Sequence, residues 1–241
     1  MISDYAKFQA KLYPVLPFLI FQAYQVKRNS PSLPSMTENL VLGNGNRKIL
    51  ILGESTAAGV GASNPKSSLA GHLSFQLGGA FQVVNFGKNG LLVNQALMKF
   101  GNSLNSFTGN FEGVFLFLGA NDCFQLTHPK NYSADLKTLL QSIKTTFNPQ
   151  WIYLSDIPPV QLFPAFPNLL RSYLKQQRGF LQNEMKLIAL EFDLVLFDPI
   201  TIDIESDFFS LDKIHPSDQG YQKIVEFAIE GLVKNGFLKL D

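Results

Sequence analysis

Residues 48–61 read KILILGESTAAGVG, a short apolar run that passes directly into a turn of small and polar residues. An apolar run of this length that ends in a glycine-rich turn predicts a buried strand over 48–52. Four further runs of the same kind are predicted as strands at 82–86, 113–118, 151–155 and 194–197. The run at 48–52 is therefore the first strand of a repeated pattern.

Longer amphipathic stretches separate these runs, which predicts strand–helix units around a parallel sheet. The predicted helices cover 67–77, 93–105, 133–147, 169–190 and 217–234. Ser133 with Asp135, and Ser217 with Asp218, supply N-cap chemistry at two of the helix starts. Loops after parallel strands lie on one rim of such a sheet, where ligands bind, so functional residues are expected after the strands.

The composition fits one folded domain with a large core. Of 241 residues, 46% are apolar and 16% are charged, which excludes a disordered chain or a coiled coil. The formal net charge is +1 and the basic residues are scattered, so no nucleic acid partner is expected. A single cysteine, Cys123, excludes an intrachain disulfide and a cysteine-built zinc site, and no residues have metal-ligand spacing.

Residues 1–46 are predicted to form an N-terminal amphipathic helix and a linker, and residues 47–241 to form the main domain. Apolar residues recur at helical spacing through 8–26, but the run is too short to span a bilayer. This helix is expected either to pack on the core or to contact a membrane surface or a substrate channel. A cytoplasmic or peripheral membrane location is favoured over secretion. Residues 29–46, rich in Ser, Pro, Asn and Gly, are predicted as the linker.

The turn at 53–61 has three chemical interpretations. It is not a phosphate-binding loop, because no Gly-Lys-Ser or Gly-Lys-Thr follows at the required spacing. It is a weak dinucleotide fingerprint, because Asn64 stands where the third glycine belongs. A serine just past a strand end, among glycines that allow close backbone approach, is suited to be a nucleophile, which makes Ser55 the candidate. An ordinary turn serine is the alternative.

A second polar loop lies near the end of the chain, where residues 211–216 read LDKIHP. Asp212 stands three residues before His215, a spacing that can close a turn in which the carboxylate holds the Nδ1 proton of the histidine. Nε2 is then free to accept a proton from serine. His72 and His128 have no such setting and are interpreted as ordinary surface or core residues.

Two other loops carry candidate donors for a developing oxyanion. Gly90 follows the predicted strand at 82–86 and can offer an unobstructed backbone amide. Asn121 follows the strand at 113–118 and can offer its side-chain amide. Each taken singly is more often a turn residue, but four such loops in order make coincidence a weak explanation.

With these four residues in this order, the chain resembles the SGNH (GDSL-type) family of esterases, lipases and thioesterases over 48–235. The resemblance implies a flavodoxin-like, three-layer α/β/α sandwich with a five-stranded parallel sheet. Residues 53–56 read GEST where the family usually has Gly-Asp-Ser-Leu, so Glu54 keeps the charge on a longer side chain. The proline-rich stretch 158–167 is similar to a loop of bacterial members described only as esterases or lipases.

The resemblance also implies the roles of the site residues and requires no cofactor. Ser55 would attack the ester, His215 would act as base and then as acid, and Asp212 would orient it. The amides of Ser55 and Gly90 and the side chain of Asn121 would form the oxyanion hole.

The loop after the fourth predicted strand is the candidate wall of an acyl pocket, because ligand sites are mostly apolar. Its proposed substrate-binding residues are Ile157, Val160, Phe163 and Phe166. A loop that simply packs over its own sheet edge is the alternative.

The predicted function is therefore serine-dependent hydrolysis of a small-molecule or lipid-like carboxylic ester. Removal of acyl groups from a carbohydrate or another polar scaffold is one alternative, and a non-catalytic, membrane-peripheral binding module is another. The α/β-hydrolase fold is disfavoured, because its elbow needs a glycine where this chain has Ala57.

Overall fold

A computed structural model describes residues 3–104, 110–205 and 207–240. Within these residues the strands are β1 (Asn39–Leu42), β2 (Arg47–Gly53), β3 (Phe81–Gly87), β4 (Gly113–Phe117), β5 (Trp151–Ser155) and β6 (Val195–Asp198). They form a six-stranded sheet in the order β1-β3-β2-β4-β5-β6. β2 to β6 are parallel to their neighbours, while β1 pairs antiparallel with β3 at one edge.

Helices cover both faces of this sheet. They are α1 (Asp4–Leu12), α2 (Leu16–Asn29), α3 (Leu69–Leu77), α4 (Ala96–Leu104), α5 (Ala120–Phe124), α6 (Pro129–Phe147), α7 (Asn168–Ala189) and α8 (Asp218–Lys234). Because side chains alternate along a strand, Leu50 and Leu52 of β2 join the core beneath α6 and α7, whereas Ile49 and Ile51 join the core beneath α3 and α8. The fold is a three-layer α/β sandwich with a mostly parallel sheet, as predicted.

All five predicted strands are present, each with ends within one residue of the prediction. The predicted strand count is nevertheless wrong, because 29–46 is not only a linker and contains β1. Leu40 and Leu42 pack against the core beneath α3, while Asn39 and Val41 are exposed. A four-residue edge strand carries too little periodicity to stand out from the Ser, Pro and Asn residues around it.

Of the two predicted helix N-caps, one is wrong and one is confirmed. α6 begins at Pro129, and the His128 side chain caps it by accepting a hydrogen bond from the Lys130 amide at 3.2 Å. The predicted cap at Ser133 is wrong, because Ser133 already lies inside the helix. At α8 the predicted cap is confirmed, since Ser217 Oγ accepts from the Gly220 amide at 3.1 Å. The predicted helix 93–105 is a short 3-10 turn followed by α4, and position 105 lies outside the described residues.

The predicted single N-terminal helix is two helices, because the chain breaks around Pro14 and restarts with Pro17 in the first turn of α2. α1 buries Phe8 against the rings of Tyr173 and Phe180 on α7. α2 also contacts α7, and Leu19 is its buried residue. Core packing therefore accounts for α1 and for one side of α2. No helix in the described ranges has both the length and the hydropathy needed to cross a membrane.

Candidate active site

The ends of three neighbouring strands lie at one level of the sheet. Gly53 at the end of β2 pairs with Gly87 of β3 on one side and with Phe117 of β4 on the other. The Glu54 amide donates to the Phe117 carbonyl at 2.9 Å, and the Lys88 amide donates to the Gly53 carbonyl at 3.0 Å. The loops that carry Ser55, Gly90 and Asn121 therefore leave the sheet together at the same rim.

The turn that contains Ser55 packs on the end of β3, and the closest contact between them leaves no room for a side chain on β3. A Cβ at Gly87 would lie 2.1 Å from the Ala58 amide nitrogen, so only glycine lets the turn settle on β3. The Ala57 carbonyl accepts from Asn85 Nδ2 at 2.9 Å and from Thr37 Oγ1 at 3.0 Å. Ser55 itself is partly exposed. Buried hydrogen bonds thus fix the turn and leave the serine accessible.

The loop of Asp212 and His215 closes as its spacing predicts. Asp212 Oδ2 lies 2.5 Å from His215 Nδ1, and Asp212 Oδ1 accepts from the backbone amides of Ile214 and His215, each at 3.0 Å. The loop is closed by the Ser210 amide, which donates to the His215 carbonyl at 2.8 Å. Burial alone would raise the pKa of Asp212, but these hydrogen bonds outweigh it and hold the pKa below its usual value. Asp212 is thus an ionised acceptor that fixes the ring and leaves Nε2 free.

The histidine loop and the serine turn contact each other directly. A Cβ at Gly61 would lie 2.4 Å from the Pro216 carbonyl oxygen and 3.1 Å from the Cβ of His215. Gly61 has φ +98°, which a residue with a side chain rarely adopts. The Tyr221 hydroxyl donates to the Val60 carbonyl at 2.7 Å and ties α8 to the same turn. As a result, Ser55 and His215 line one cavity.

Glu54 is a site residue whose part in the fold the sequence did not reveal. It is 3% exposed. Its Oε1 accepts from the Ala120 amide at 2.8 Å, and its Oε2 accepts from the Asn121 amide at 2.9 Å and from Asn121 Nδ2 at 2.5 Å. Burial raises the pKa of Glu54 from its usual 4.5 to about 7, although these three donors lower it. The residue beside Ser55 therefore holds Asn121.

The side chain of Asn121 contacts the loop of Gly90 at the next residue, Leu91. Asn121 Nδ2 donates to the Leu91 carbonyl at 3.2 Å as well as to Glu54, so both of its hydrogens have acceptors within the protein. Gly90 is exposed, has φ +80°, and has no atom within 4 Å of an added Cβ position. The loop at Gly90 is thus open towards solvent, beside the side chain of Asn121.

The cavity at Ser55 and His215 encloses about 80 Å³ and is mostly apolar. Of the four predicted wall residues, only Phe163 lines it. Phe166 packs behind it, 5.4 Å from the Phe163 ring and 5.7 Å from the Phe124 ring. The prediction is wrong for the other three residues, because Ile157, Val160 and Phe166 are buried in the core and do not line the cavity. An apolar pattern alone does not distinguish a residue behind a wall from one on its surface.

Isoleucines after β6 form a part of the wall that sequence reasoning missed. Ile200, Ile202 and Ile204 line the cavity together with Ile214 of the histidine loop. The alternation of isoleucine with Thr201 and Asp203 was the available signal, because these two residues are exposed while the isoleucines between them are partly buried.

A buried ion pair lies at the side of the cavity. Asp156 lines it, and its Oδ2 accepts from Arg178 and Gln182, each at 2.7 Å, and from the Ile200 amide at 3.2 Å. Arg178 Nε also donates to the Ile157 carbonyl at 2.7 Å. Burial raises the pKa of Asp156, against the opposing effect of Arg178. The pair connects the loops after β5 and β6 to α7.

Among the residues that the structure describes, no three His, Cys, Asp or Glu side chains lie close enough together to hold a metal ion. The arrangement instead contains the parts of an acyl-transfer site, namely an accessible serine, a histidine oriented by a carboxylate, and amides on the same rim.

Comparison with known proteins identifies a family. The sequence model of the GDSL-like Lipase/Acylhydrolase family matches residues 51–223. This range includes the serine turn, both donor loops and the histidine loop. No protein of curated function matches the chain at a significant level.

Several solved structures are similar to the fold. The psychrotrophic esterase EstA from Pseudoalteromonas sp., in a structure inhibited by monoethylphosphonate, has a TM-score of 0.60 at 19% identity and covers 79% of this chain and 98% of its own. TesA has a TM-score of 0.64 at 18% identity, with 80% and 100% covered. A carbohydrate acetylesterase family member from Sinorhizobium meliloti has a TM-score of 0.60 at 16% identity, with 79% and 99% covered. At these identities the similarity concerns the fold.

Proposed function

We propose that the chain, which belongs to the GDSL-like lipase/acylhydrolase family and is on that ground a carboxylic ester hydrolase, acts through an acyl-enzyme on Ser55. The observation that carries this proposal is the cavity that Ser55 shares with His215, whose Nδ1 lies 2.5 Å from Asp212. A neutral serine is a weak nucleophile and needs a positioned base. His215 supplies one, because its Nδ1 proton is committed to Asp212 and its Nε2 is left as the acceptor.

The reaction proceeds in two steps, acylation and deacylation, and His215 acts first as base and then as acid in each. His215 Nε2 takes the hydroxyl proton as Ser55 Oγ attacks the ester carbonyl, and it returns that proton to the leaving alcohol as the acyl-enzyme forms. Water, deprotonated by the same nitrogen, then attacks the acyl-enzyme; the bond to Ser55 Oγ breaks, His215 returns the proton to that oxygen, and the carboxylic acid leaves. Asp212 stays ionised throughout and stabilises the imidazolium.

The proposed oxyanion hole consists of the Ser55 and Gly90 amides and Asn121 Nδ2. The hydrogen bonds of Asn121 to Glu54 and to the Leu91 carbonyl support this proposal, because they hold the side-chain amide at the rim. One of these two contacts is exchanged for the oxyanion when the tetrahedral intermediate forms. A donor of this kind contributes about 3 to 4 kcal/mol to transition-state stabilisation.

The proposed substrate is an ester with a short acyl chain. A cavity of about 80 Å³ is well below the roughly 300 Å³ at which ligand pockets usually begin, and this size favours a small acyl group. A small cavity also favours the second candidate, removal of acetyl groups from a polar alcohol such as a carbohydrate. The similarity of the fold to a carbohydrate acetylesterase family member is compatible with it.

The test is hydrolysis of p-nitrophenyl esters from acetyl to octanoyl, together with labelling by a fluorophosphonate and mapping of the adduct by mass spectrometry. We expect turnover that falls with acyl length, an adduct on Ser55, and loss of both in Ser55→Ala and His215→Ala. Ser172→Ala, at an exposed position of α7, serves as the matched control. Wild-type turnover in folded Ser55→Ala would exclude the mechanism. Label on Ser55 with rapid release of acetate from acetylated sugars and slow aryl ester turnover would favour the second candidate.

A further inference from the structure

The outward side of α2 and the turn before it expose large apolar side chains. Five are more than half exposed, namely Tyr13, Phe18, Ile20, Phe21 and Tyr24. Ile20, Phe21 and Tyr24 are one, three or four residues apart and share one side of α2, while Phe18 lies at one edge of that side and Tyr13 lies in the turn before the helix. We call this set the outer face of α2.

Packing within the domain does not explain the outer face. The opposite side of α2 carries Leu19, which is buried, and Val15, Leu16 and Val26, which pack against the core. The helix has therefore already buried one apolar side. A second apolar side left in water needs another environment, and a contiguous patch of this kind marks a contact surface.

The charges beside the outer face indicate which environment it is. Between residues 11 and 30 the charged side chains are Lys11, Lys27 and Arg28, with no Asp or Glu among them. Aromatic side chains favour the membrane–water interface, and nearby cations favour anionic lipid headgroups. A second protein copy would bring the same positive charges against each other. We propose that the outer face of α2 docks on an anionic lipid surface, with the helix lying in the plane of the interface.

A groove lies between the segment that follows α2 and the histidine loop. Leu33 and Pro34, just after α2, line a groove together with Pro164, Leu211 and Lys213. Leu211 is 82% exposed, and it stands directly before Asp212. Asp207 and Asp218 also line this groove, so the basic character of the docking surface belongs to α2, and the groove links the segment after α2 to the loop that carries Asp212. Docking would bring that loop, and the cavity beside it, close to the lipid surface.

The test is flotation of the full chain with vesicles of neutral phosphatidylcholine, and with vesicles in which roughly a third of the lipid is phosphatidylglycerol. We expect flotation with the anionic vesicles. The double variant Phe21→Ser/Tyr24→Ser should lower the partition coefficient at least about tenfold, because each ring would leave the interface. The matched control Phe75→Ser removes a ring that is 85% exposed on α3 and should float like the wild type.

Charge variants give a second, independent measurement. Lys27→Gln and Arg28→Gln should each lower binding to the anionic vesicles about fivefold and leave binding to neutral vesicles unchanged. All variants should keep wild-type hydrolysis of a soluble short-chain ester, which shows that they are folded.

Three results would overturn the proposal. One is no flotation with anionic vesicles. The second is equal flotation of wild type and the Phe21→Ser/Tyr24→Ser variant. The third is a dimer, detected by sedimentation velocity, that Phe21→Ser/Tyr24→Ser dissociates, since the outer face would then be covered by a second copy. Because flotation needs no turnover, an inactive protein that binds vesicles would count against the proposed function and not against docking.

Discussion

Replacing Glu54 by glutamine should remove a large pH dependence of stability. Burial raises the pKa of this carboxyl from 4.5 to about 7, so the folded state holds its proton over a pH range in which the unfolded chain has lost it. The folded state then binds more protons than the unfolded state, and stability falls as pH rises through that range. Below about pH 4 both states are protonated and the difference vanishes.

The size of the effect follows from the shift. One pKa unit corresponds to about 1.4 kcal/mol, so the ionised form should cost the folded protein about 3 kcal/mol above pH 7. Glutamine cannot ionise and has no such cost. It also has one acceptor oxygen where Glu54 has two, so its amide group must face one of the three donors from Ala120 and Asn121. We expect Glu54→Gln to be less stable at acidic pH and to lose little further stability as pH rises.

The assay is urea denaturation of wild type, Glu54→Gln and the control Glu230→Gln at about pH 5 and about pH 8. Glu230 is exposed on α8, so this control removes a carboxyl group without a buried site. Other titrating groups contribute equally to all three proteins and cancel in the comparison. Wild type and Glu230→Gln should lose about 2.5 kcal/mol more than Glu54→Gln between the two pH values, because the unfolded chain is already mostly ionised at Glu54 at about pH 5. Equal losses in all three proteins would refute the reasoning.

Three further outcomes test the site. Asp212→Asn should lower kcat by on the order of 10⁴ with little change in KM, because the histidine loses the acceptor that fixes its tautomer; steady-state kinetics checks this. Arg178→Met should cost about 3 to 5 kcal/mol in urea unfolding, since it leaves a buried carboxylate unpaired, and adding Asp156→Asn should restore part of that loss. Ile202→Ala should shift the preferred p-nitrophenyl ester towards longer acyl chains, whereas Phe166→Leu, behind the wall, should leave the chain-length profile unchanged.

The sequence predicted the parallel core because buried strands are read from local composition alone. The runs at 48–52 and 113–118 consist of apolar residues bounded by polar or small ones, and the structure places both at the centre of the sheet. β1 was missed, because four residues at an edge acquire their strand from pairing with β3 and not from their own pattern. Local sequence does not specify a partner that lies about forty residues away.

The loop of Asp212 and His215 could be predicted because its contacts are local. Asp212 and His215 are three residues apart, so their spacing in sequence is also their geometry. The part played by Glu54 could not be predicted, since it depends on Ala120 and Asn121 on another loop. The same limit applies to the cavity wall, where Ile202 comes from a segment that a pattern of strands and helices leaves unassigned.

The geometry of Ser55 depends on chain segments that no motif includes. The Ala57 carbonyl accepts from Thr37, in the segment between α2 and β1, and from Asn85 inside β3, and both donors are buried. The Val60 carbonyl accepts from Tyr221 of α8. Because an unsatisfied buried acceptor costs about 1 to 3 kcal/mol, each of these donors holds the turn in one position. The segment between α2 and β1 therefore supports the turn that contains Ser55, although it lies outside the residues that the family model matches.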